Sequence, residues 1–173
     1  MTDGAGDEGG PTWSADGRYV YFCASRGQGY DIWRVPVAGG ARERMTTHGS
    51  GYLAFAAPDG HGIVYQQATS RSALLLQREP GGPSTQIVGC SEVNSFVSNR
   101  GGIYYIPCGQ GHHVALHRAP SAGVRDQRMM TLDGINPDFP GLLDVSPNAR
   151  TVLFARQVNA RGGGDLWMID PFR

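Results

Sequence analysis

Three observations predict an all-β chain made of four repeated units, each a small antiparallel sheet of about four strands. A turn phrase recurs at a spacing of roughly 41 to 48 residues. A short β-prone apolar run follows each occurrence. The chain's 26 Gly and 11 Pro among 173 residues leave no long uninterrupted window, so no 3.6-residue apolar period is sustained.

In the first unit Trp13-Ser-Ala-Asp-Gly17 precedes Tyr19-Val-Tyr-Phe22, then Asp31-Ile-Trp-Arg-Val35 and the polar Arg42-Glu-Arg-Met45. The second runs Phe55-Ala-Ala-Pro-Asp-Gly60, Ile63-Val-Tyr65, Ala73-Leu-Leu-Leu76 and Thr85-Gln-Ile-Val88. The third runs Phe96-Val-Ser-Asn-Arg-Gly101, Ile103-Tyr-Tyr-Ile106, Val114-Ala-Leu-His117 and Arg125-Asp-Gln-Arg-Met129. The fourth has Val145-Ser-Pro-Asn148, Val152-Leu-Phe154 and Asp165-Leu-Trp-Met-Ile169, with no further polar stretch before Arg173. Labelled a to d in each unit, these strands have distinct duties. Asp-Gly at 16–17 and 59–60 supplies the positive φ that a tight a–b hairpin needs. Strand b is apolar on successive residues, as a strand covered on both faces must be. Strand d carries charge because it forms the outer rim.

Such a period with four strands per unit is the pattern of β-propeller blades, at about 11–50, 51–90, 91–134 and 135–173. Residues 1–10 are acidic and Gly-rich and read as a disordered lead. The expected interblade core is Tyr21, Phe22, Tyr65, Tyr105 and Phe154, joined by Trp33 and Trp167. The first blade turns an apolar face toward no preceding blade and the fourth lacks strand d. A partial propeller, self-associating through its open blade edges, is therefore expected.

Charge excludes several function classes. Fifteen Arg with no Lys balance 15 acids, so no bulk field steers nucleic acid or anionic lipid, and direct nucleic-acid binding is not expected. The longest apolar stretch, Tyr52–Ala57, is too short to span a membrane as a helix. No signal peptide is visible, which points to the cytoplasm for the chain as written; an upstream membrane helix in a longer form would place it in the periplasm. No G-x-S-x-G nucleophile elbow occurs, and a P-loop is impossible without Lys. The acids at turns and strand starts have geometric duties, so no catalytic residue is assigned. His113 and His117 would share a strand face but lie about 13 Å apart, too far to hold one ion, so no metal or other cofactor is expected. Cys23, Cys90 and Cys108 are widely spaced and read as three free, buried or half-buried thiols.

The run Pro11-Thr-Trp-Ser-Ala-Asp-Gly-Arg-Tyr-Val-Tyr-Phe22, with Arg26, Tyr30-Asp-Ile-Trp33 and Gly39-Gly40, resembles the WD40-like repeat of TolB-type propellers. Ala73 and Val114 stand where that repeat has the Asp represented by Asp31. Gly141, Val145–Asn148, Val152–Phe154 and 164–173 look similar to the C-terminal propellers of bacterial winged-helix regulators and serine/threonine kinases. Ala149 replaces the usual turn Gly, leaving Asn148 to carry the positive φ. The resemblance implies a non-catalytic module that binds a protein or peptide, as the C-terminal part of a longer regulatory protein. The alternative is an accessory propeller gating a prolyl-oligopeptidase-like hydrolase whose catalytic domain lies outside this chain.

Propeller topology sends the b–c and d–a loops to one face of the disc. That face gathers Arg26, Tyr30, His48, Arg71, Glu92, His112, His113, Asp138 and Arg161, rich in the Arg, His and Tyr that populate interface hot spots. These are the candidate partner-binding residues.

Overall fold

A computed structural model describes residues 6–25, 29–67, 71–110, 113–119, 125–133, 143–157 and 164–171. All the regular structure among them is β. The strands are β1 (Glu8–Trp13), β2 (Tyr19–Ser25), β3 (Tyr30–Pro36), β4 (Glu43–Arg44), β5 (Gly51–Ala56), β6 (Ile63–Gln67) and β7 (Arg71–Gln77). They continue with β8 (Ser84–Asn99), β9 (Gly102–Pro107), β10 (His113–Ala119), β11 (Gln127–Asp133), β12 (Leu143–Val145), β13 (Val152–Gln157) and β14 (Gly164–Ile169).

Among the described residues every strand-to-strand ladder is antiparallel between chain neighbours, in sheet orders β1-β2-β3-β4, β5 through β11, and β12-β13-β14. The middle sheet is two blades in one. β8 pairs with β7 from Gln77–Ser84 to Arg71–Glu92, then with β9 from Ser91–Pro107 to Asn99–Gly102. It thus serves as strand d of the second blade and strand a of the third, bending where the register shifts between Ser91 and Phe96. β1 opens at Glu8, inside the Gly-rich lead, because Glu8 and Gly9 pair with Ala24 and Cys23 across a bulge.

The inner strands β1, β5, β8 and β12 stand side by side in that order. Side-chain donors stitch them to neighbouring backbone. Thr12 Oγ1 donates to the Ala54 carbonyl at 2.7 Å, Ser98 Oγ to Ala56 at 2.7 Å, and Asn99 Nδ2 to Val145 at 2.6 Å. Among the described residues no packing of comparable extent joins β12 back to β1, so the blades form an open arc.

Three apolar layers lie between successive blades. Tyr21, Cys23, Ile32, Met45, Ala54, Ile63 and Tyr65 fill the first. Val64, Leu74, Val88, Phe96, Ile103 and Tyr105 fill the second. Tyr104, Ile106, Val114, Leu116, Leu132, Val152 and Phe154 fill the third. Each fully buried Leu, Ile or Val side chain contributes about 1.5–3 kcal/mol. The strand-b prediction holds for Tyr21, Tyr65, Tyr105 and Phe154. It fails for Phe22, which alternation turns to the outward face of blade one with Ala24 and Val35. Trp33 is half-buried on that same face, and Trp167 is exposed.

That outward face is covered by charge. The Arg42 guanidinium lies 5.8 Å over the Phe22 ring and pairs with Glu8 at 2.7 Å. Arg44 lies 5.9 Å over Trp33 and pairs with Asp31. Asp31 is buried and also accepts from Thr46 Oγ1 at 2.8 Å and the Gly49 amide at 3.1 Å. It therefore ties strand c to strand d, beyond capping the start of strand c. The register places Ala73, and Ala115 rather than Val114, at the position of Asp31.

The a–b turns of blades one and four are superimposable in their bonding. The Ser14 and Ser146 hydroxyls each accept the amide five residues on, and Asp16 and Asn148 each accept the Ser hydroxyl at 2.7 Å. Gly17 carries a φ of 71°, and in the fourth blade Ala149 carries 54°. The expectation that Asn148 would adopt the left-handed conformation is corrected. Its side chain takes the acceptor role of Asp16, which fixes it one position earlier in the turn. A left-handed Ala costs about 1–2 kcal/mol. Ala149→Gly should accordingly raise stability by about 0.5–1 kcal/mol in chemical denaturation, since part of the relief is lost to glycine's unfolded-state entropy.

The thiol expectation is also corrected. Cys90 and Cys108 form a disulfide with Cα atoms 5.6 Å apart. They are 18 residues apart in sequence, but the Ser91–Pro107 pairing makes them next neighbours across β8 and β9. Cys23 is a free, buried thiol whose pKa is pushed up by desolvation.

Candidate functional site

The start of strand c and the d–a connection meet at one corner of blade one. In blade one the Tyr30 amide donates to the Gly49 carbonyl at 3.1 Å, and Tyr30 bridges Ser50. The Tyr30 ring meets Tyr52 edge-on, with centroids 6.0 Å apart at 87°. Tyr52 is exposed, and His48 is exposed on the adjoining connection. Gln67 Nε2 donates to Ser50 Oγ at 3.2 Å, joining this corner to the second blade.

The bend of β8 forms the next part of the face and is fixed from below. The Gln66 side chain is fully buried. Its Nε2 donates to the carbonyls of Ser91 and Glu92 at 3.1 and 3.0 Å, and its Oε1 accepts the Asn94 amide at 2.9 Å. A buried amide is tolerated only when so satisfied. The Glu92 carboxylate is buried too. It accepts from Arg71 Nε at 3.3 Å and from the Gly109 amide at 3.0 Å. With the Cys90–Cys108 disulfide beside it, the bend is held by covalent, ionic and neutral bonds at once. Held in this way, Asn94 takes a left-handed φ of 52°. Its Oδ1 is buried with no hydrogen-bond partner among the described residues.

Of the candidate residues, the structure brings Arg71 and Glu92 into an ion pair and sets Tyr30 and His48 on the neighbouring corner. Arg71 is exposed; Glu92 lies beneath the surface as its anchor. Arg26, His112, Asp138 and Arg161 lie outside the described residues, and of His113 only the backbone, opening β10, is described. Sequence reasoning missed Tyr52, Gln66 and Asn94. Gln66 carried a signal, since a polar residue ending the apolar run Ile63–Tyr65 in a doubly covered strand demands partners.

On the opposite face the described a–b turns and c–d connections include two engaged carboxylates, Asp59 and Asp16. The Asp59 carboxylate accepts from Arg78 at 2.7 Å and from the His61 amide at 3.0 Å. The Arg78 guanidinium holds the Asp59 carboxyl below its ordinary range. Hydrogen bonds from the Ser14 hydroxyl, then from the Arg18 amide, do the same for Asp16. Among the described residues no group of three or more His, Cys, Asp or Glu converges as metal ligands would, and no helix is long and apolar enough to cross a membrane.

Comparison with known proteins adds the following. No family model matches. An uncharacterised protein of Agrobacterium fabrum strain C58 is 39% identical over 66 residues, which is 38% of this chain and 22% of that protein. TolB from Acinetobacter baumannii superposes with a TM-score of 0.67 at 21% identity, over 94% of this chain and 40% of that one. A putative TolB from Agrobacterium tumefaciens gives 0.67 at 20%, over 95% and 58%. A chain of a nidogen/laminin complex gives 0.69 at 14%, over 90% and 59%. The likeness to these solved structures shows the β-propeller fold. The chain spans less than two thirds of the length of each of these four proteins.

Proposed function

We propose that the chain is a non-catalytic binding module of the TolB-like propeller type, taking a protein or peptide segment on the b–c face. The observation that carries this reading is Asn94. A left-handed residue with an unsatisfied buried acceptor, held by Gln66, Glu92 and a disulfide, is a place where structure is maintained at a cost. The exposed Tyr52 against a half-buried Tyr30, with exposed His48 and Arg71 around them, supplies the aromatic and cationic anchors that recognise peptides. On the opposite face Asp59 is already engaged by Arg78. The match to a nidogen/laminin complex supports a protein partner for such a surface. We read the module as part of a longer regulatory protein. The Cys90–Cys108 bond favours an oxidising compartment, so a periplasmic setting suits it better than the cytoplasm.

Selection of a displayed peptide library on the immobilised chain tests this. Enriched peptides should bind the wild-type protein and lose at least about tenfold in affinity, or 1.4 kcal/mol, on Tyr52→Ala or Arg71→Glu. Arg78→Ala on the other face should leave binding unchanged. Peptides indifferent to Tyr52 and Arg71, or displaced by Arg78→Ala, would overturn the assignment of the face.

A further inference from the structure

The turns joining strands a and b keep one bonding pattern along the chain while their charge changes. In blade one the turn Asp16-Gly17-Arg18 holds its own acid, and Asp16 accepts the Arg18 amide at 3.0 Å. In blade two the acid is Asp59, which accepts the His61 amide at 3.0 Å and takes Arg78 at 2.7 Å. In blade four Asn148 fills the place of Asp16. It accepts the Ser146 hydroxyl and the Arg150 amide, so the bonding persists and the carboxylate does not. In blade three the place falls to Asn99, for a structural reason. Its Oδ1 accepts the Gly101 amide at 2.8 Å while its Nδ2 donates to the Val145 carbonyl at 2.6 Å, and a carboxylate could not donate.

The two turns without an acid are neighbours, and cations crowd their seam. A Cβ on Gly101 would lie 2.9 Å from the Ala149 Cβ, so the turn of blade three sits against that of blade four. Arg100 precedes Gly101 and Arg150 follows Ala149, and both are exposed. Arg118, half-buried near the end of β10, donates from Nη2 to the Gly101 carbonyl at 2.8 Å. The Tyr104 hydroxyl donates to the same oxygen at 3.0 Å, which fixes that carbonyl and with it the Arg118 guanidinium. Among the described residues none of these three arginines forms an ion pair. Asp170 and Asp126, on the same end of the arc, are engaged elsewhere. Asp170 accepts from Thr151 Oγ1 at 3.0 Å, and Asp126 accepts from the Tyr105 hydroxyl at 3.1 Å and pairs with His117.

We propose that this seam between blades three and four binds an acidic protein segment, whose carboxylates are held by Arg100, Arg118 and Arg150. A guanidinium stays protonated at any physiological pH, so the positive charge left by the missing acids is permanent. Its forked donors match a carboxylate two bonds at a time. The excess is confined to one seam of a chain with zero net charge, which suits a few carboxylates on a short segment better than the long backbone of a nucleic acid. The seam lies on the opposite face from Tyr52 and Arg71, so it is a second site that does not rest on the first.

Fluorescence anisotropy on the whole chain tests the proposal, with a labelled peptide of alternating Glu and Gly and a matched peptide carrying Gln for Glu. The Glu peptide should bind, and the Gln peptide should bind at least about tenfold more weakly. Added salt should weaken the Glu peptide. The double variant R100Q/R150Q should lose at least about tenfold in affinity for it. Asn148→Asp restores the acid that Asp16 supplies in blade one without altering the turn's bonding, and should lose at least about threefold. Gln86→Glu makes the same change of charge at the exposed rim of blade two and should bind as the wild type does. All four positions are exposed, so an unchanged melting curve shows that the variants fold. Equal binding of the two peptides overturns the proposal, as does an Asn148→Asp or R100Q/R150Q chain that binds like the wild type. So does a Gln86→Glu chain that loses as much as Asn148→Asp, or a single-stranded oligonucleotide of matched charge that binds more tightly than the Glu peptide.

Discussion

Phe154→Ala is expected to destabilise the chain by about 3–5 kcal/mol, while Leu166→Ala, twelve residues further on, should cost the isolated monomer close to nothing. Both residues are large, apolar and in the middle of a strand of the same blade. Phe154 faces the third blade and packs with Val97, Tyr104 and Val145, so truncation opens a cavity in a layer with no solvent access. Leu166 faces away from that layer and is already hydrated. Denaturant titration of the two variants side by side at low concentration reads the difference directly. Equal midpoints would show that strands β13 and β14 are one residue out of register, since a single slip exchanges the two faces.

Removing the Cys90–Cys108 bridge with C90S/C108S should cost about 3 kcal/mol, the loop-closure entropy released by a cross-link spanning 18 residues. Reductant should shift the wild-type unfolding midpoint by the same amount and leave the double variant unmoved. Cys23, buried and with its thiol pKa raised, should stay unreactive until the chain unfolds. A wild-type midpoint indifferent to reductant would mean that the two sulfurs are not joined.

The fold was legible because its signals are local. Asp16-Gly17 and Asp59-Gly60 announce hairpins, and the doubly apolar strand-b runs announce sheets covered on both sides. The polarity of Arg42–Arg44 announces a rim. What escaped depends on distance in space. The pairing of Cys90 with Cys108 follows from a register that neither cysteine's neighbours specify. Phe22 and Tyr21 look alike in sequence, yet alternation sends one to a layer between blades and the other under Arg42. Ala149 shows the same limit at short range, because the identical bonding of the Ser146 turn forces a left-handed φ on a residue that resists it. Loop topology pointed to Tyr30, His48 and Arg71, of which His48 and Arg71 are exposed and Tyr30 half-buried. It did not point to Gln66 and Asn94, since their importance lies in the buried bonds that connect them.

β8 couples two blades mechanically. Because its 16 residues belong to two sheets, unpairing its N-terminal half from β7 cannot be separated from disturbing its C-terminal half against β9. The second and third blades should therefore exchange their amide protons as one cooperative unit, at the highest opening free energy in the chain. Among the described residues the first and fourth blades are each tied to that unit on one side only and should open before it, so fraying travels inward from both ends. Stability in this chain is graded along its length, as expected of a stack in which each repeat leans on its neighbours.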